Sequence, residues 1–286
     1  MLAREDAVGL VLISALCMPI PHCLIRRLAA ALALTALALG ARAQEVRPPF
    51  VTTPEEVVER MLLLAGTGAD DFVMDLGSGD GRIVIAAARK FGARGLGVDI
   101  DPALVALSRE NARRAGVDAL ARFEERDVLA TDLSRATVVT IYLLPWLVDR
   151  LQPKLMHELR PGARIVAHAF AMKGWKPDRS ERLRIAQPQQ GQSGESTLFL
   201  WTVPAEARGA WQAQDWQLRV HQNFQEIEVE AAAGGKPLAV EQARLEGRAI
   251  VISGPGFSFR GRVEGAAIQG ELTHSGRTGP ITFRRN

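Results

Sequence analysis

A glycine-rich loop that follows a short apolar run constrains this chain more than any other stretch. Residues 72–76 are mostly apolar, glycines occupy alternate positions through 77–81, and an Ala-rich segment follows at 83–91. Glycine permits backbone angles and close approaches that a Cβ would block. A helix N-terminus behind such a loop is a favourable place for main chain to touch a ligand. The pattern therefore predicts a strand, a tight ligand-binding loop and a helix.

Two acids, Asp75 and Asp80, flank the glycines and indicate the charge of that ligand. A dinucleotide-binding loop has the spacing G-x-G-x-x-G and receives an anionic pyrophosphate, whereas the spacing here is G-x-G-x-G. Carboxylates would repel a pyrophosphate but attract a ligand that carries an ammonium and a sulfonium. The loop therefore favours S-adenosylmethionine over a nicotinamide dinucleotide, with an ordinary glycine-rich turn as the alternative.

Acids also follow the next two predicted strands. Strand 95–101 contains Asp99 and Asp101, and a doubly wound sheet places an acid at such a strand end beside a ribose. Asp99 is the better ribose ligand because it precedes the turn, whereas Asp101 is equally well explained as the N-cap of a helix over 103–115. Asp127, after a third strand, is predicted to lie near an adenine amino group, with a surface acid as the alternative.

A fourth strand, predicted over 137–145 and buried, carries Tyr142, the chain's only tyrosine. In an open α/β sheet, ligands bind outside the carboxyl ends of the parallel strands. We therefore expect Tyr142 to lie at the mouth of the same crevice.

The remaining pattern predicts the fold class. A helix over 146–159 and a strand over 163–170 come next, followed by alternating segments at 182–186 and 196–203 that can form an antiparallel pair. Strands alternate with helices five times before that pair. This is the pattern of an α/β protein with a doubly wound, seven-stranded sheet, and we place the ligand-binding domain at residues 44–204.

A leading helix is predicted over 54–64, with Thr53 as its N-cap and Pro54 in the first helical position. Its apolar residues recur at helical spacing: Val57, Val58, Met61, Leu62 and Leu64. Residues 50–53 either only precede a helix that packs on the sheet or lie across the mouth of the ligand site.

The last part of the chain changes character. From residue 211 onward helical periodicity is absent, and short alternating stretches recur between Gly-containing turns. We predict a small all-β module over 211–286, either a meander or a partial barrel. No chemical constellation stands out in it. It is either a structural cap or self-association element, or a surface that binds a partner.

The N-terminal 43 residues resemble a targeting segment. Arg26 and Arg27 precede an apolar run, 28–39, and an A-x-A pattern ends at Ala43, as in a signal peptide. An uncleaved membrane anchor is the alternative, and Met18 is a candidate true start. A working signal would place the protein in the periplasm or cell envelope, exported or anchored, and otherwise we expect it in the cytoplasm. Both cysteines precede Ala43, so a cleaved product suits an oxidising compartment.

Charge and metal-ligand spacing narrow the function classes. The net charge is +3 and the pI is about 9.2, but Lys and Arg are scattered rather than concentrated in one stripe. Nucleic acid is therefore not indicated as a partner. The histidines are isolated, and no metal-ligand spacing occurs outside the N-terminal region that contains both cysteines, so we predict no metal site.

The loop sequence D-L-G-S-G-D-G-R resembles the first motif of class I S-adenosylmethionine-dependent methyltransferases. Within that superfamily, residues 50–178 look like the small protein-lysine methyltransferases of the archaeal and mitochondrial type, distantly related to Dot1. The matching pieces are 50–54, 75–82, 142–145 and 175–178. Thr52 stands where relatives often have Pro. The N-terminal segment and the β module depart from the pattern.

The resemblance implies a Rossmann-like methyltransferase that uses S-adenosyl-L-methionine, with a protein lysine as the methyl acceptor. It implies a catalytic Tyr142 that orients the amine. The residues that it implies for cofactor binding are Thr53, Asp75, Gly77, Ser78, Gly79, Asp80, Gly81, Asp99, Ile100, Asp127 and Val128. The alternatives are a small-molecule or envelope acceptor, a nicotinamide oxidoreductase on the same fold, and a non-catalytic exported protein with a vestigial pocket.

Overall fold

The computed structural model describes residues 51–186 and 194–286. The predicted signal peptide, both cysteines and most of the loop before residue 195 lie outside these ranges. Within them, no helix has the length and apolar character needed to cross a membrane.

A mixed seven-stranded sheet forms the first part of the described chain and confirms the predicted fold class. Its strands are β1 Phe72–Leu76, β2 Arg94–Asp99, β3 Ala121–Glu125, β4 Val138–Ile141, β5 Arg164–His168, β6 Arg179–Arg184 and β7 Glu195–Thr202. The order is β3-β2-β1-β4-β5-β7-β6. The first five are parallel, and β7 runs antiparallel to both of its neighbours. The strand order reverses at β1 and β4, which places a crevice at their carboxyl ends. We call this side of the sheet the carboxyl edge.

In the described ranges, one helix precedes β1, and three helices and one 3₁₀ turn connect the parallel strands. They are α1 Glu55–Leu64, α2 Arg82–Phe91, α3 Pro102–Arg114, the 3₁₀ turn Val128–Ala130 and α4 Pro145–Glu158. The predicted Thr53 N-cap is wrong, because the N-cap residue is Pro54 and no side chain caps the helix. The Pro54 carbonyl accepts from the amides of Val57 and Val58 at 3.0 and 2.9 Å, so α1 begins one residue later than expected.

Both faces of this sheet are covered, which explains why its central strands are almost continuously apolar. On one face, α1 buries all five of its predicted apolar positions, and Met61 packs in a cluster with Val73 and Val166. On the other face, α4 contributes Leu151 to a cluster with Met74. Each buried side chain of this size stabilises the fold by about 1.5–3 kcal/mol.

A second, nine-stranded antiparallel sheet forms the C-terminal part and confirms the predicted all-β module. Its strands are β8 Gly209–Ala213, β9 Trp216–Asn223, β10 Glu226–Ala233, β11 Lys236–Leu238, β12 Gln242–Glu246, β13 Ala249–Gly254, β14 Phe257–Glu264, β15 Ala267–His274 and β16 Arg277–Arg285. The order is β11-β10-β9-β8-β16-β15-β14-β13-β12. Residues of β10 and β12 also contact each other, so the sheet curls toward a partial barrel. It has its own core, built around Trp211, Phe259 and Phe283.

The two sheets meet through Trp175, which lies between β5 and β6. Its indole stacks on Phe224 with centroids 5.1 Å apart, and its Nε1 donates to Gln225 Oε1 at 2.7 Å. The side-chain Nε2 of Gln225 in turn donates to the Lys176 carbonyl at 2.7 Å. The Trp-containing segment thus anchors the nine-stranded sheet beside β6 and β7.

Candidate functional site

The glycine loop connects β1 to α2 at the carboxyl edge, and its glycines are required by geometry. Gly77 and Gly81 have φ angles of 82° and 83°, which favour glycine. A Cβ on Gly81 would lie 2.7–2.8 Å from the Phe123 ring and from Ser108. A Cβ on Gly77 would lie 2.7 Å from Leu143 Cδ2. The loop is therefore pressed against its neighbours and leaves its main chain at the crevice.

Asp99, the last residue of β2, is held next to this loop. The Gly79 amide donates to Asp99 Oδ2 at 2.9 Å, and the Asp101 amide donates to Asp99 Oδ1 at 3.0 Å. The Asp101 side chain accepts from the Ala103 amide and is the N-cap of α3, which decides between its two sequence interpretations. Each carboxylate oxygen of Asp99 has two lone pairs, so both can accept a further hydrogen bond.

Asp75 lies on β1 below the loop and is buried. Thr140 Oγ1 donates to its Oδ1 at 2.7 Å. Burial, assisted by the negative charges of Asp99 and Asp80, raises the pKa of Asp75 to about 7, against the opposing effect of the Thr140 hydrogen bond. A positive charge bound nearby would favour the ionised carboxylate, so this position suits a cationic ligand group.

Asp80 has a different environment from Asp75, although both flank the glycines. The Arg82 guanidinium donates to both Asp80 oxygens, with an N–O distance of 2.6 Å in the ion pair. Arg82 also donates to the Thr53 carbonyl at 2.7 Å. The charge of Asp80 is thus already compensated, and the pair links the loop to buried Thr53.

Asp127, the predicted adenine-side acid, and the predicted cofactor-binding residues Ile100 and Val128 also lie after strands of this edge. Asp127 is exposed, and its carboxylate accepts from the Leu129 amide at 2.8 Å, which caps the 3₁₀ turn. Val128 is buried beside it, whereas Ile100, directly after β2, is 47% exposed. Asp127 therefore combines a capping role with an accessible carboxylate near the end of β3.

Tyr142 directly follows β4, and its ring packs against His168, the last residue of β5. The ring centroids lie 4.1 Å apart with an interplanar angle of 35°. His168 Nε2 lies 2.7 Å from Ser196 Oγ, while its Nδ1 is buried and has no hydrogen-bond partner in the part of the chain that the structure describes. Burial lowers the pKa of His168 to about 4 and raises the pKa of Tyr142, so both rings are neutral at pH 7.

Sequence reasoning missed His168 and Ser196. His168 stands at the end of a predicted strand, as Asp99 does, and that position could have indicated it. Ser196 could not be found in this way, because its contact depends on the antiparallel pairing of β7 with β5.

Exposed apolar side chains follow β4 and β5, the two strands that carry the Tyr142–His168 pair at their ends. Leu144 and Trp146 follow β4 and are 37% and 52% exposed, and Phe170, after β5, is 37% exposed. Residues after these strands lie at the carboxyl edge, so the mouth of the crevice has an apolar rim.

The crevice fits S-adenosylmethionine. The buried Ser78 Oγ in the glycine loop has no hydrogen-bond partner among the described residues. Asp75 suits an ammonium and Asp99 suits a diol. In the ranges 51–186 and 194–286, no cluster of three or more His, Cys, Asp or Glu side chains could hold a metal ion.

Comparison with protein families identifies the region that contains this crevice. Residues 75–179 match the family model of the ANTKMT methyltransferase domain. The match covers the glycine loop, Asp99, Tyr142 and His168, and it ends before the nine-stranded sheet.

Two relatives extend the comparison. A protein-lysine N-methyltransferase of Saccharolobus islandicus (strain REY15A) is 44% identical over 130 residues, which cover 45% of this chain and 81% of the relative. The adenine nucleotide translocase lysine N-methyltransferase of Mus musculus is 36% identical over 129 residues, which cover 45% of this chain and 56% of that protein. This chain therefore spans most of the archaeal relative and somewhat more than half of the mouse protein.

Among solved structures, an RNA methyltransferase from Salinibacter ruber in complex with S-adenosyl-L-homocysteine is similar to this chain. The two are 48% identical, the TM-score is 0.49, and the match covers 55% of this chain and 95% of that one.

Proposed function

The chain belongs to the family of protein-lysine N-methyltransferases with an ANTKMT methyltransferase domain, and we propose that it methylates a lysine amine of a protein. It is an S-adenosylmethionine-dependent methyltransferase. The observation that carries the lysine acceptor is the 44% identity across 81% of the archaeal lysine methyltransferase. Tyr142, which is predicted to orient the acceptor amine, lies inside the family match.

The donor site that we propose uses the carboxyl edge. Asp99 would accept from the ribose hydroxyls, because both of its oxygens are already oriented by main-chain amides. Asp75 and the main chain of residues 77–79 would hold the amino-acid end; the amides of Gly77 and Gly79 already donate to the Val98 carbonyl and to Asp99, which fixes the loop in place. The remaining proposed contacts are Thr53, Ser78, Asp80, Gly81, Ile100, Asp127 and Val128. Of these, Asp80 would act mainly through its ion pair with Arg82, which compensates the charge of its carboxylate.

Methyl transfer needs a deprotonated amine in line with an activated carbon. The bound donor supplies that carbon, already activated by its sulfonium. The lysine nitrogen forms a bond to the methyl carbon as the carbon–sulfur bond breaks, and the proton of the lysine is lost to solvent. The protein's task is to orient the amine and remove its water, which lowers the lysine pKa.

We propose that Tyr142 orients the amine and that His168 positions Tyr142. A neutral imidazole adds no positive charge beside an incoming ammonium, and the Ser196 contact holds its ring in place. The apolar rim that contains Trp146 and Phe170 would cover the lysine stem and exclude water.

Labelling with methyl-tritiated S-adenosylmethionine tests this function. The purified full chain and the Asp99→Asn variant would be incubated with a cell extract, and the products would be digested with protease or ribonuclease. We expect label in protein, recovered as methyllysine after hydrolysis, and little label with the variant. Label that ribonuclease releases, or that enters small molecules, would contradict the proposed acceptor. Donor binding without any labelling would instead indicate a non-catalytic binding protein.

We also propose, from residues 26–44 alone, that the N-terminal segment directs export or anchors the protein. Cell fractionation with N-terminal sequencing tests this proposal. A mature chain that begins at Gln44 in the envelope fraction is expected. Recovery of peptides from residues 1–17 in a cytoplasmic protein would contradict it.

We propose that the nine-stranded sheet acts as a structural cap on the edge formed by β6 and β7. The stacking of Trp175 on Phe224 and the hydrogen bonds of Gln225 support this role. Gln225→Ala should lower the unfolding free energy by about 1–3 kcal/mol, because a buried indole N–H loses its acceptor. Unchanged stability in urea titrations would contradict the role.

A further inference from the structure

A cleft lined by arginines lies between the two sheets, on the side opposite the glycine loop. It is bounded by the residues that precede β1, β4 and β5 and by the turn between β12 and β13, and its volume is about 570 Å³. Its arginines are Arg135, Arg160, Arg164, Arg248 and Arg262. We call it the arginine cleft. It shares no residue with the proposed donor site.

Close main-chain contact holds the two halves of the arginine cleft together. A Cβ on Gly247 would lie 3.0 Å from Gly162 Cα, so the turn between β12 and β13 packs directly on the turn before β5. The Ala205 amide donates to the Gly247 carbonyl at 2.7 Å, and the Val263 amide donates to the Arg248 carbonyl at 2.8 Å. Arg248 from the nine-stranded sheet is thereby held in the same cleft as Arg160.

The two carboxylates that line the cleft already form ion pairs with arginines. Asp71 is paired with Arg164 and also accepts from Thr137. Glu246 forms an ion pair with Arg244 at 3.0 Å.

Four arginines of the cleft are left without a compensating carboxylate: Arg135, Arg160, Arg248 and Arg262. None of them has an ion-pair partner in residues 51–186 and 194–286. Arg135 lies over the Phe72 ring, 4.9 Å from its centroid, which fixes its position without neutralising it. Unpaired arginines that line one cleft repel one another, and a bound anion would relieve this repulsion.

We propose that the arginine cleft binds a small ligand with linked phosphate groups. Guanidinium groups present planar forks that match phosphate oxygens, so a cluster of them suits several adjacent phosphates. The volume lies within the range of roughly 300–1,000 Å³ that is typical of small-molecule sites. None of the described residues that line the cleft is aromatic, whereas proteins that bind single-stranded nucleic acid stack bases on aromatic rings. Phosphate recognition is therefore favoured over recognition of a nucleic-acid strand.

Calorimetry of the full chain with sodium tripolyphosphate tests the site, at about 0.15 M salt, where long-range attraction is screened. The cleft variant is Arg160→Gln/Arg248→Gln, which removes one charge from each half. The matched control is Arg277→Gln/Arg284→Gln, which removes the same charge from exposed positions on β16. We expect the cleft variant to bind tripolyphosphate at least about tenfold more weakly and the control less than about twofold. Equal losses in both variants, or no binding by the unchanged chain, would overturn the proposal.

Two further experiments identify the chemical class of the phosphate-containing ligand. Tripolyphosphate binding without flotation on phosphatidylglycerol vesicles supports the proposed small ligand. Flotation that tripolyphosphate competes away would overturn the proposal in favour of a phospholipid surface, because each phosphatidylglycerol headgroup carries a single phosphate. Tighter binding of a single-stranded RNA than of tripolyphosphate would overturn the proposal in favour of nucleic acid. A thermal shift with S-adenosylmethionine, expected to be equal in both variants and the unchanged chain, shows that each is folded. It also separates failure here from failure of the methyltransferase proposal.

Discussion

The ring centroids of Tyr142 and His168 lie 4.1 Å apart at the ends of the neighbouring strands β4 and β5. Ser196 holds one imidazole nitrogen, and the other is buried without a partner in the described ranges. The only tyrosine of the chain is therefore supported by a neutral, buried side chain at the mouth of the proposed donor site.

Tyr142→Phe tests the orienting hydroxyl. We expect kcat for the protein acceptor to fall by about 10–100-fold, because misorientation of a nucleophile carries costs of this size. The affinity for S-adenosylmethionine, measured by calorimetry, should not change. An unaltered kcat would remove the hydroxyl from the mechanism.

His168→Gln tests the positioning role. We expect kcat to fall while donor affinity is retained, and we expect Ser196→Ala to cause a smaller loss in the same direction. Ser196→Thr, which keeps the hydroxyl, serves as the control and should restore kcat. Equal losses of kcat and donor affinity in His168→Gln would indicate only a structural role.

The same histidine predicts a pH dependence of stability. Its folded pKa of about 4 lies below the ordinary histidine value of 6.5, so below pH 6.5 the unfolded chain binds more protons than the folded one. The contribution of His168 to the unfolding free energy is therefore lost as the pH falls from 6.5 toward 4. Urea titrations across this window should show a flatter acid limb in His168→Gln, and an unchanged slope would contradict the prediction.

The raised pKa of Asp75 predicts the opposite dependence of the unfolding free energy on pH. Its pKa is raised from 3.8 to about 7, so the folded state holds the extra proton between these values. Stability contributed by this group should fall as the pH rises from about 4 to 7, by up to about 4 kcal/mol. Asp75→Asn keeps an acceptor for Thr140 and should abolish this fall. Because Asp75 and His168 act in opposite directions, each slope is clearest in the variant that lacks the other group.

Donor binding should also release a proton from Asp75. A bound ammonium favours the carboxylate, so calorimetry at pH 6.5 in buffers of different ionisation enthalpy should report proton release that Asp75→Asn lacks. Equal heats in all buffers would contradict the proposed contact.

Gly81→Ala tests the packing of the loop. The substitution combines a left-handed φ of 83° with a Cβ 2.7 Å from the Phe123 ring, and we expect it to lower the unfolding free energy by about 2–4 kcal/mol. Gly116→Ala is the matched control, because its φ is 68° and nothing lies within 4 Å of the added Cβ. The control should cost about 1 kcal/mol. Equal losses would show that the ring contact is unimportant.

The sequence predicts those features of the structure that depend on local patterns of residues. The glycine loop, the N-cap at Asp101 and the apolar face of α1 depend on residues a few positions apart, so periodicity and turn chemistry predict them. The position of Asp99 beside the loop followed from general α/β topology, and the structure joins it to Gly79.

Long-range contacts could not be predicted in this way. The His168–Ser196 contact joins residues 28 positions apart, and the Trp175–Gln225 hydrogen bond spans 50. Strands β8, β11 and β12 are short or polar and depend on pairing with their neighbours, so an alternating pattern does not indicate them. By contrast, the Asp80–Arg82 ion pair is local, but an acid that flanks the glycines suits a ligand contact equally well, so the sequence does not decide between the two.

The most direct test of the central claim is calorimetry of S-adenosylmethionine with the full chain and with Asp99→Ala. Since the account places the donor at the carboxyl edge with its ribose on Asp99, the unchanged chain should bind the donor. The variant should bind it at least about tenfold more weakly, because a charge-assisted hydrogen bond of about 1.5–3 kcal/mol is removed. Equal affinity in both proteins would contradict the account.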